Sequence, residues 1–183
     1  MNPPLTLAQR VLAIDGALAQ VPHAFGGALA LAYYAEPRAT IDIDLNVFVP
    51  AERYADVATP LAALGAPADD PATETVVRRD GQARVIWDRT PIDLFFAYDP
   101  FHDAAAAALQ TVPFADAAIP ILGPDHLVVC KVIYNRARDW VDIDAMVSAG
   151  ADLSAAEVLR WVARIAGDED ARYDRIAAVL TIR

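Results

Sequence analysis

Between Ile41 and Val49 the chain alternates: Ile41, Ile43, Leu45, Val47 and Val49 are apolar, and Asp42, Asp44, Asn46 and Phe48 fall between them. A period of two is the mark of a strand that sets one face against a core. It puts Asp42 and Asp44 together on the other face, their Cα atoms about 6.5 to 7 Å apart. Two carboxylates aimed the same way repel each other unless a cation or an arginine sits between them. A divalent metal answers that need, and hard oxygen ligands suit magnesium or manganese. An acidic strand face that merely keeps the protein soluble is the other reading of the pair.

Two neighbouring features bear on the choice. Val21 to Phe25 is short and apolar and stops at Gly26-Gly27, a strand feeding a tight turn, and Ala28 to Ala35 continues as a helix that Pro37 ends. Backbone N–H groups at such a turn can receive phosphate. Asp42 follows Gly27 by fifteen residues, room for one helix and a return strand. Further on, Asp93 stands inside Pro91-Ile92-Asp93-Leu94-Phe95-Phe96, whose apolar neighbours predict a central strand. A buried carboxylate there needs a partner. Either it joins Asp42 and Asp44, giving the three carboxylates that two metal ions use in phosphoryl transfer, or it pairs with Arg38, Arg84 or Arg89.

The rest of the chain supplies a framework. Thr6 and Gln9 form a capping-box pattern ahead of a helix over about 6–20, and Ala51 to Leu64 reads as another helix. Val76 to Arg79 and Ala83 to Trp87 flank Asp80-Gly81 and predict a hairpin. An alanine-rich helix near 103–110 precedes short apolar runs at 112–114 and 119–122, and helices are expected at about 125–137, 139–149, 154–166 and 169–180. The expected fold class is therefore α/β in the broad sense (α+β): a mixed sheet flanked by helices over 1–123, with a helical part, 124–183, packed on it as a single structural unit.

Composition narrows the function. The chain carries 25 acidic and 15 basic residues, a formal charge of −10, which argues against a general duplex-coating protein. Its one cysteine, Cys130, excludes a disulfide framework and a Cys-rich zinc site and is expected in the core. The uncharged stretch from Gly16 to Ala35 is interrupted by Gln20, Pro22, His23 and the glycine pair, so no membrane span is expected, and Asn2-Pro3-Pro4 does not resemble a secretory signal. A cytoplasmic protein is expected. His23, His102 and His126 lack ligand spacing, and Ser148 and Ser154 lack a His-Asp pattern. Asp42 to Arg53 fails as an EF-hand, with Val47 and Arg53 at the glycine and glutamate positions.

Lys131 is the one lysine among fifteen cations. With Tyr134, Asn135 and Arg138 it forms a stripe at i, i+3, i+4 and i+7, either a solvated helix face or a place where Lys131 contacts a triphosphate with Arg138 assisting. Asp142 and Asp144 repeat the Asp-Ile-Asp letters, but on a helix they diverge by about 200° and cannot chelate together. Asp139 and Asp142, at i and i+3, either hold Arg138 or Lys131 or face water.

The string Phe25-Gly26-Gly27-Ala28-Leu29-Ala30, then Arg38-Ala39-Thr40-Ile41-Asp42-Ile43-Asp44-Leu45, then Asp93, resembles the nucleotidyltransferase superfamily that includes DNA polymerase β. Lys131, Arg138-Asp139 and Asp142-Ile143 are similar to the pattern of its AbiEii-type branch, which contains toxins of toxin–antitoxin and phage-defence systems. The resemblance spans about residues 21–145. It implies a nucleotidyltransferase fold and transfer of a nucleoside monophosphate from an NTP to an acceptor hydroxyl. Asp42, Asp44 and Asp93 would be catalytic and hold Mg²⁺ or Mn²⁺. Gly26 and Gly27 would cradle phosphates, and Arg38, Thr40, Lys131 and Arg138 would help hold the nucleotide. The acceptor would be tRNA, protein or a small molecule, and an antitoxin would be a partner. An antibiotic nucleotidyltransferase of similar length and a non-catalytic nucleotide-binding or antitoxin-like protein are the alternatives.

Overall fold

In a computed structural model, which describes residues 4–181, the elements run α1 (Leu7–Ala17), β1 (His23–Phe25), α2 (Gly27–Leu31), β2 (Ile43–Pro50), a 3₁₀ turn (Ala51–Arg53), α3 (Ala55–Ala63), α4 (Pro71–Asp80), β3 (Gln82–Trp87), β4 (Thr90–Ala97), α5 (Pro100–Ala107), β5 (Gln110–Phe114), β6 (Ala117–Ile121), α6 (Pro124–Tyr134), α7 (Ala137–Ser148), α8 (Ala155–Ala166) and α9 (Ala171–Thr181). The N-terminal Met1 to Pro3, where Asn2 and Pro3 were read against a secretory signal, lie outside the described residues. No described helix is long and apolar enough to cross a membrane.

The chain forms two compact units, Met1–Leu29 with Ala39–Ile121 and Ala30–Arg38 with Leu122–Arg183. The first holds a six-stranded mixed sheet in the order β3-β4-β2-β1-β6-β5. β2 runs antiparallel to β1 and parallel to β4, β4 is antiparallel to β3, and β1 is parallel to β6. The alternation is realised in β2, where Ile43, Leu45, Val47 and Val49 are buried and Asp44, Asn46 and Phe48 half-buried, while Ile41 and Asp42 precede the strand and Ile41 is exposed. Ile92, Leu94 and Phe96 of β4 continue the same buried face, against which α5 packs on β2. Helix α1 packs on β6 and α3, with Val11 and Ile14 buried. Its capping box forms as the Thr6 and Gln9 letters predict.

The predicted hairpin at Asp80-Gly81 does not form. Asp70 caps a helix whose first residue is Pro71, and that helix takes up Val76 to Arg79. Gly81, at φ +70°, is its left-handed C-cap, so the dipeptide supplies positive φ for a helix end instead of a two-residue turn. The hairpin lies one strand later, between β3 and β4, with Asp88 at φ +55°.

In the second unit α6 packs on α7, α8 and α9. Helix α8 buries Val158, Trp161 and Val162 at i, i+3 and i+4, the spacing of one helical face, and Ser154 caps it by accepting from the Glu157 N–H. The short segment Ala30–Arg38 is tied to this unit by the Tyr34 hydroxyl, which donates to the Leu122 carbonyl at 2.8 Å. The stripe expected from Lys131 to Arg138 is interrupted: α6 ends at Tyr134, Asn135 is left-handed at φ +56°, and Arg138 belongs to α7.

Candidate nucleotidyl-transfer site

Strand register assembles the candidate site in the first unit. Asp44 of β2 lies beside Asp93 of β4, and Arg84 of β3 lies opposite Asp93. Paired residues on neighbouring strands point to the same face, about 4.8 Å apart along the sheet. Arg84, Asp93 and Asp44 therefore form one row across three strands, on the face opposite Ile43, Leu45, Ile92 and Leu94. Asp42 stands two residues before Asp44, just ahead of β2, where Thr40 shapes the approach: its hydroxyl accepts from the Asp42 N–H at 3.1 Å and donates to the Asp42 carbonyl at 3.3 Å.

The row continues to the glycine pair. Gly26 follows β1, and its N–H donates to the Asp44 carbonyl at 2.9 Å, extending the ladder between β1 and β2. That amide serves the sheet here. Gly27 has a different job. Its φ is +52°, and a Cβ built on it would lie 1.7 Å from Asp44 Oδ2 and 2.4 Å from Asp44 Cγ. Only a residue with no side chain permits this approach at this backbone angle. The helix it opens is five residues long, so the phosphate cradle expected from a helix dipole has little dipole behind it.

Asp93 is not an isolated buried charge. Arg84 donates from Nε to Oδ1 and from Nη2 to Oδ2, both at 2.6 Å, a two-pronged ion pair. Of the three arginines left open by the sequence, the antiparallel register selects Arg84. Its pKa is held above the ordinary arginine value, first by that hydrogen-bonded pair, against an opposing effect of desolvation, and further by the charges of Asp93, Asp42 and Asp44. One guanidinium thus experiences all three carboxylates.

The donor set is chemically suited to Mg²⁺: hard carboxylate oxygens, Asp44 and Asp93 in register on neighbouring strands and Asp42 just ahead of β2. Among the described residues no group of three or more His, Cys, Asp or Glu side chains is gathered into a metal-holding cluster, and Asp93 is turned to Arg84. Mg²⁺ characteristically takes one or two carboxylates and completes its shell with water and substrate phosphates, so the residues present fit it without a closed cage.

The remaining expected residues lie in the second unit. Lys131 is 5% exposed, and its Nζ donates to Asp142 Oδ2 at 2.6 Å. Arg38 grips the same carboxylate, Nε to Oδ1 at 3.0 Å and Nη2 to Oδ2 at 3.1 Å. Burial raises the Asp142 pKa, and the hydrogen bonds from Arg38 and Lys131 outweigh it, leaving the group below the ordinary carboxylate range. Asp142 therefore holds Lys131, as one reading of the helix spacing allowed, and the Arg38 contact is one that spacing could not have shown. Asp139 holds Arg136 and not Arg138: it accepts from Arg136 N–H at 3.0 Å and from Nε at 2.8 Å. Arg138 is exposed in the first turn of α7. The histidines lack ligand spacing, which suits structural or surface positions. His23 has ring nitrogens 2.8 Å from the Val21 carbonyl and 3.2 Å from Asp15, and His126 is buried.

Comparison with known proteins bears on this geometry. No curated protein matches the sequence. Solved structures that share the fold include the following two. The antibiotic-resistance factor ANT(2'')-Ia, determined in solution, matches with a TM-score of 0.54 at 16% identity, covering 96% of this chain and 91% of that one. An antigenic nucleotidyltransferase-like protein from Paracoccidioides brasiliensis matches with a TM-score of 0.52 at 15% identity, covering 96% and 92%. The family described as "Nucleotidyl transferase AbiEii toxin, Type IV TA system" matches residues 15–181, which include both glycines, Asp42, Asp44 and Asp93, and the Lys131, Arg38 and Asp142 cluster. The chain belongs to the AbiEii nucleotidyltransferase family.

Proposed function

We propose that the protein transfers a nucleoside monophosphate from an NTP to an acceptor hydroxyl, with Asp42, Asp44 and Asp93 as the groups that hold divalent metal. The observation that carries this reading is the in-register pair Asp44 and Asp93 on adjacent parallel strands, with Gly27 opened to admit the Asp44 carboxylate. Mg²⁺ or Mn²⁺ bound there would neutralise charge on the transferring phosphoryl group and lower the pKa of the acceptor hydroxyl. The chain's own contribution is positional. The sheet holds Asp44 and Asp93 at fixed spacing, Thr40 fixes the backbone of Asp42, and Asp93 presents an oxygen able to take the acceptor's proton once Arg84 has released it. Lys131 is already committed to Asp142, so its contribution in this reading is to order α6 and α7 together with Arg38.

The family description names a toxin of a toxin–antitoxin system, which supports a toxin role countered by an antitoxin, and for such a toxin we take tRNA or protein as the acceptor. A second reading, a small antibiotic acceptor, is favoured by the fold likeness to ANT(2'')-Ia over 91% of that chain. The test is transfer from each of four α-labelled NTPs, with Mg²⁺, to tRNA, protein and aminoglycoside acceptors. Label is expected on one acceptor class and should fall at least about a hundredfold in Asp44→Asn, the scale set by losing a group that stabilises transition-state charge. Equal labelling by the variant, or none by the wild type with any NTP and acceptor, would overturn the assignment.

A further inference from the structure

We propose that Arg84 is a resident counter-ion of the acidic site, occupying Asp93 in place of a divalent cation and yielding it when metal and nucleotide bind. The inference rests on the metal-binding reading of Asp42, Asp44 and Asp93 and concerns a residue outside the motif residues quoted for the resemblance.

Three observations carry it. Arg84 uses two guanidinium nitrogens on both oxygens of Asp93, so no oxygen of that carboxylate is left without a cationic donor. The register makes the contact a built one: Arg84 and Asp93 are directly paired across the β3 and β4 ladder, whose edge is β3. Yet Arg84 has somewhere to go. Its side chain is 55% exposed while that of Asp93 is 18% exposed, so the arginine can swing into solvent or onto a phosphate without opening the sheet, whereas the carboxylate stays in place.

Charge arithmetic gives the contact a consequence. Three carboxylates and one guanidinium sum to −3 + 1 = −2, which a single divalent cation balances. A second cation at Asp93 requires Arg84 to leave. The triphosphate, a polyanion, favours that departure, because guanidinium binds phosphate oxygens with the same two-pronged geometry it uses on a carboxylate. Arg84 thereby makes occupancy of Asp93 conditional on nucleotide and discourages a fully metal-loaded site before substrate arrives. It is a positioning residue acting through Asp93.

The experiment is Mn²⁺ titration of the full chain without nucleotide, with free Mn²⁺ read by electron paramagnetic resonance. It compares wild type, Arg84→Gln, Arg84→Lys and the double variant Arg84→Gln/Asp93→Asn. Removing a charged hydrogen-bonding competitor from a half-exposed site should tighten Mn²⁺ binding by about tenfold in Arg84→Gln or add a second bound ion. Arg84→Lys should stay nearer the wild type, and the gain should vanish in the double variant. Loss of a merely structural contact would weaken binding or leave it unchanged, so affinity in Arg84→Gln within twofold of wild type overturns the proposal. A gain that persists without the Asp93 carboxylate also overturns it. If wild type binds Mn²⁺ through Asp44 but Arg84→Gln is no tighter, Arg84's role alone falls. If neither binds Mn²⁺ even with NTP present, the metal reading of the three aspartates falls with it.

Discussion

Replacing Gly27 by alanine separates backbone strain from a specific collision with Asp44. At φ +52° an L residue other than glycine costs about 1–2 kcal/mol. The added Cβ would also meet Asp44 Oδ2 at 1.7 Å, Cγ at 2.4 Å and Cβ at 3.1 Å. The carboxylate tip could turn aside, but the contacts at Cγ and Cβ reach too close to the main chain for that alone, and β2 is held on both sides by β1 and β4. Asp44 must therefore leave its rotamer, at a further cost of about 1 kcal/mol. The total, about 2–3 kcal/mol, corresponds to a melting temperature lower by roughly 4–12 °C in a chain of this size. Gly81→Ala is the internal comparison: it carries similar strain at φ +70°, but its new Cβ meets only the Tyr98 ring, at 3.3 Å, and that ring is 81% exposed and free to move. Thermal melts with and without Mg²⁺ and NTP, together with the labelling assay, should show a modest stability loss and retained activity in Gly81→Ala. Gly27→Ala should show the larger loss, no stabilisation by Mg²⁺ and NTP, and little transfer. Equal transfer and equal nucleotide stabilisation in the two variants would refute the claim that the open approach to Asp44 is what Gly27 provides.

Two other outcomes follow from buried titratable groups. Asp142→Asn leaves Lys131 buried beside Arg38 without a negative charge and should cost about 3 kcal/mol in chemical denaturation, with a loss under about 1 kcal/mol contradicting the buried cluster. Because the folded pKa of Asp142 lies below the ordinary range, its stabilisation is complete above about pH 4 and is lost as pH falls through the folded value, so the gap between wild type and variant should close in acid. Burial lowers the His126 pKa, with Glu157 and Asp125 pulling the other way. The neutral ring is favoured in the folded protein, so this stabilisation is full above about pH 6.5 and declines as pH falls through the lower folded value. Calorimetry from pH 8 to 5 should therefore give a shallower decline in His126→Gln, and an unchanged slope would contradict it.

What could be read from residues alone was the part set by local periodicity. The β2 alternation, the capping box at Thr6 and Gln9 and the helical run of α6 to α9 depend on neighbours within a few positions, and they formed with boundaries displaced by a few residues. Asp80-Gly81 misled because positive φ serves a hairpin turn and a helix C-cap equally, and the deciding residues, Asp70 and Pro71, lie ten positions upstream. The Lys131 stripe failed for a related reason: Asn135 tolerates the left-handed region and ends α6 inside what looked like one continuous face. In the candidate site, parity placed Asp44 on the face opposite Ile43 and Leu45, whereas Asp42 lies ahead of β2, where strand parity no longer applies. Which arginine answers Asp93 was not legible, since Arg38, Arg84 and Arg89 differ only in strand register and long-range pairing, and neither leaves a mark on composition or spacing.

The second unit is built from two pieces of chain, and the earlier piece, Ala30–Arg38, is separated from the later one by most of the sheet. The Arg38 to Asp142 ion pair joins residues 104 positions apart. At synthesis rates of about 5–20 residues per second, Arg38 is added to the chain roughly 5–20 s before Asp142. Throughout that interval the segment with buried Leu31 is without the helices that complete its unit, while the strands between it and Ile121 are already available to pair. Biogenesis therefore has an imposed order: the sheet can close early, but the segment leaving it must wait for the C-terminal third of the protein. A chain released at Ile121 would carry a finished sheet and an orphaned strip, which makes the length of the nascent polypeptide itself a checkpoint on completion of the fold.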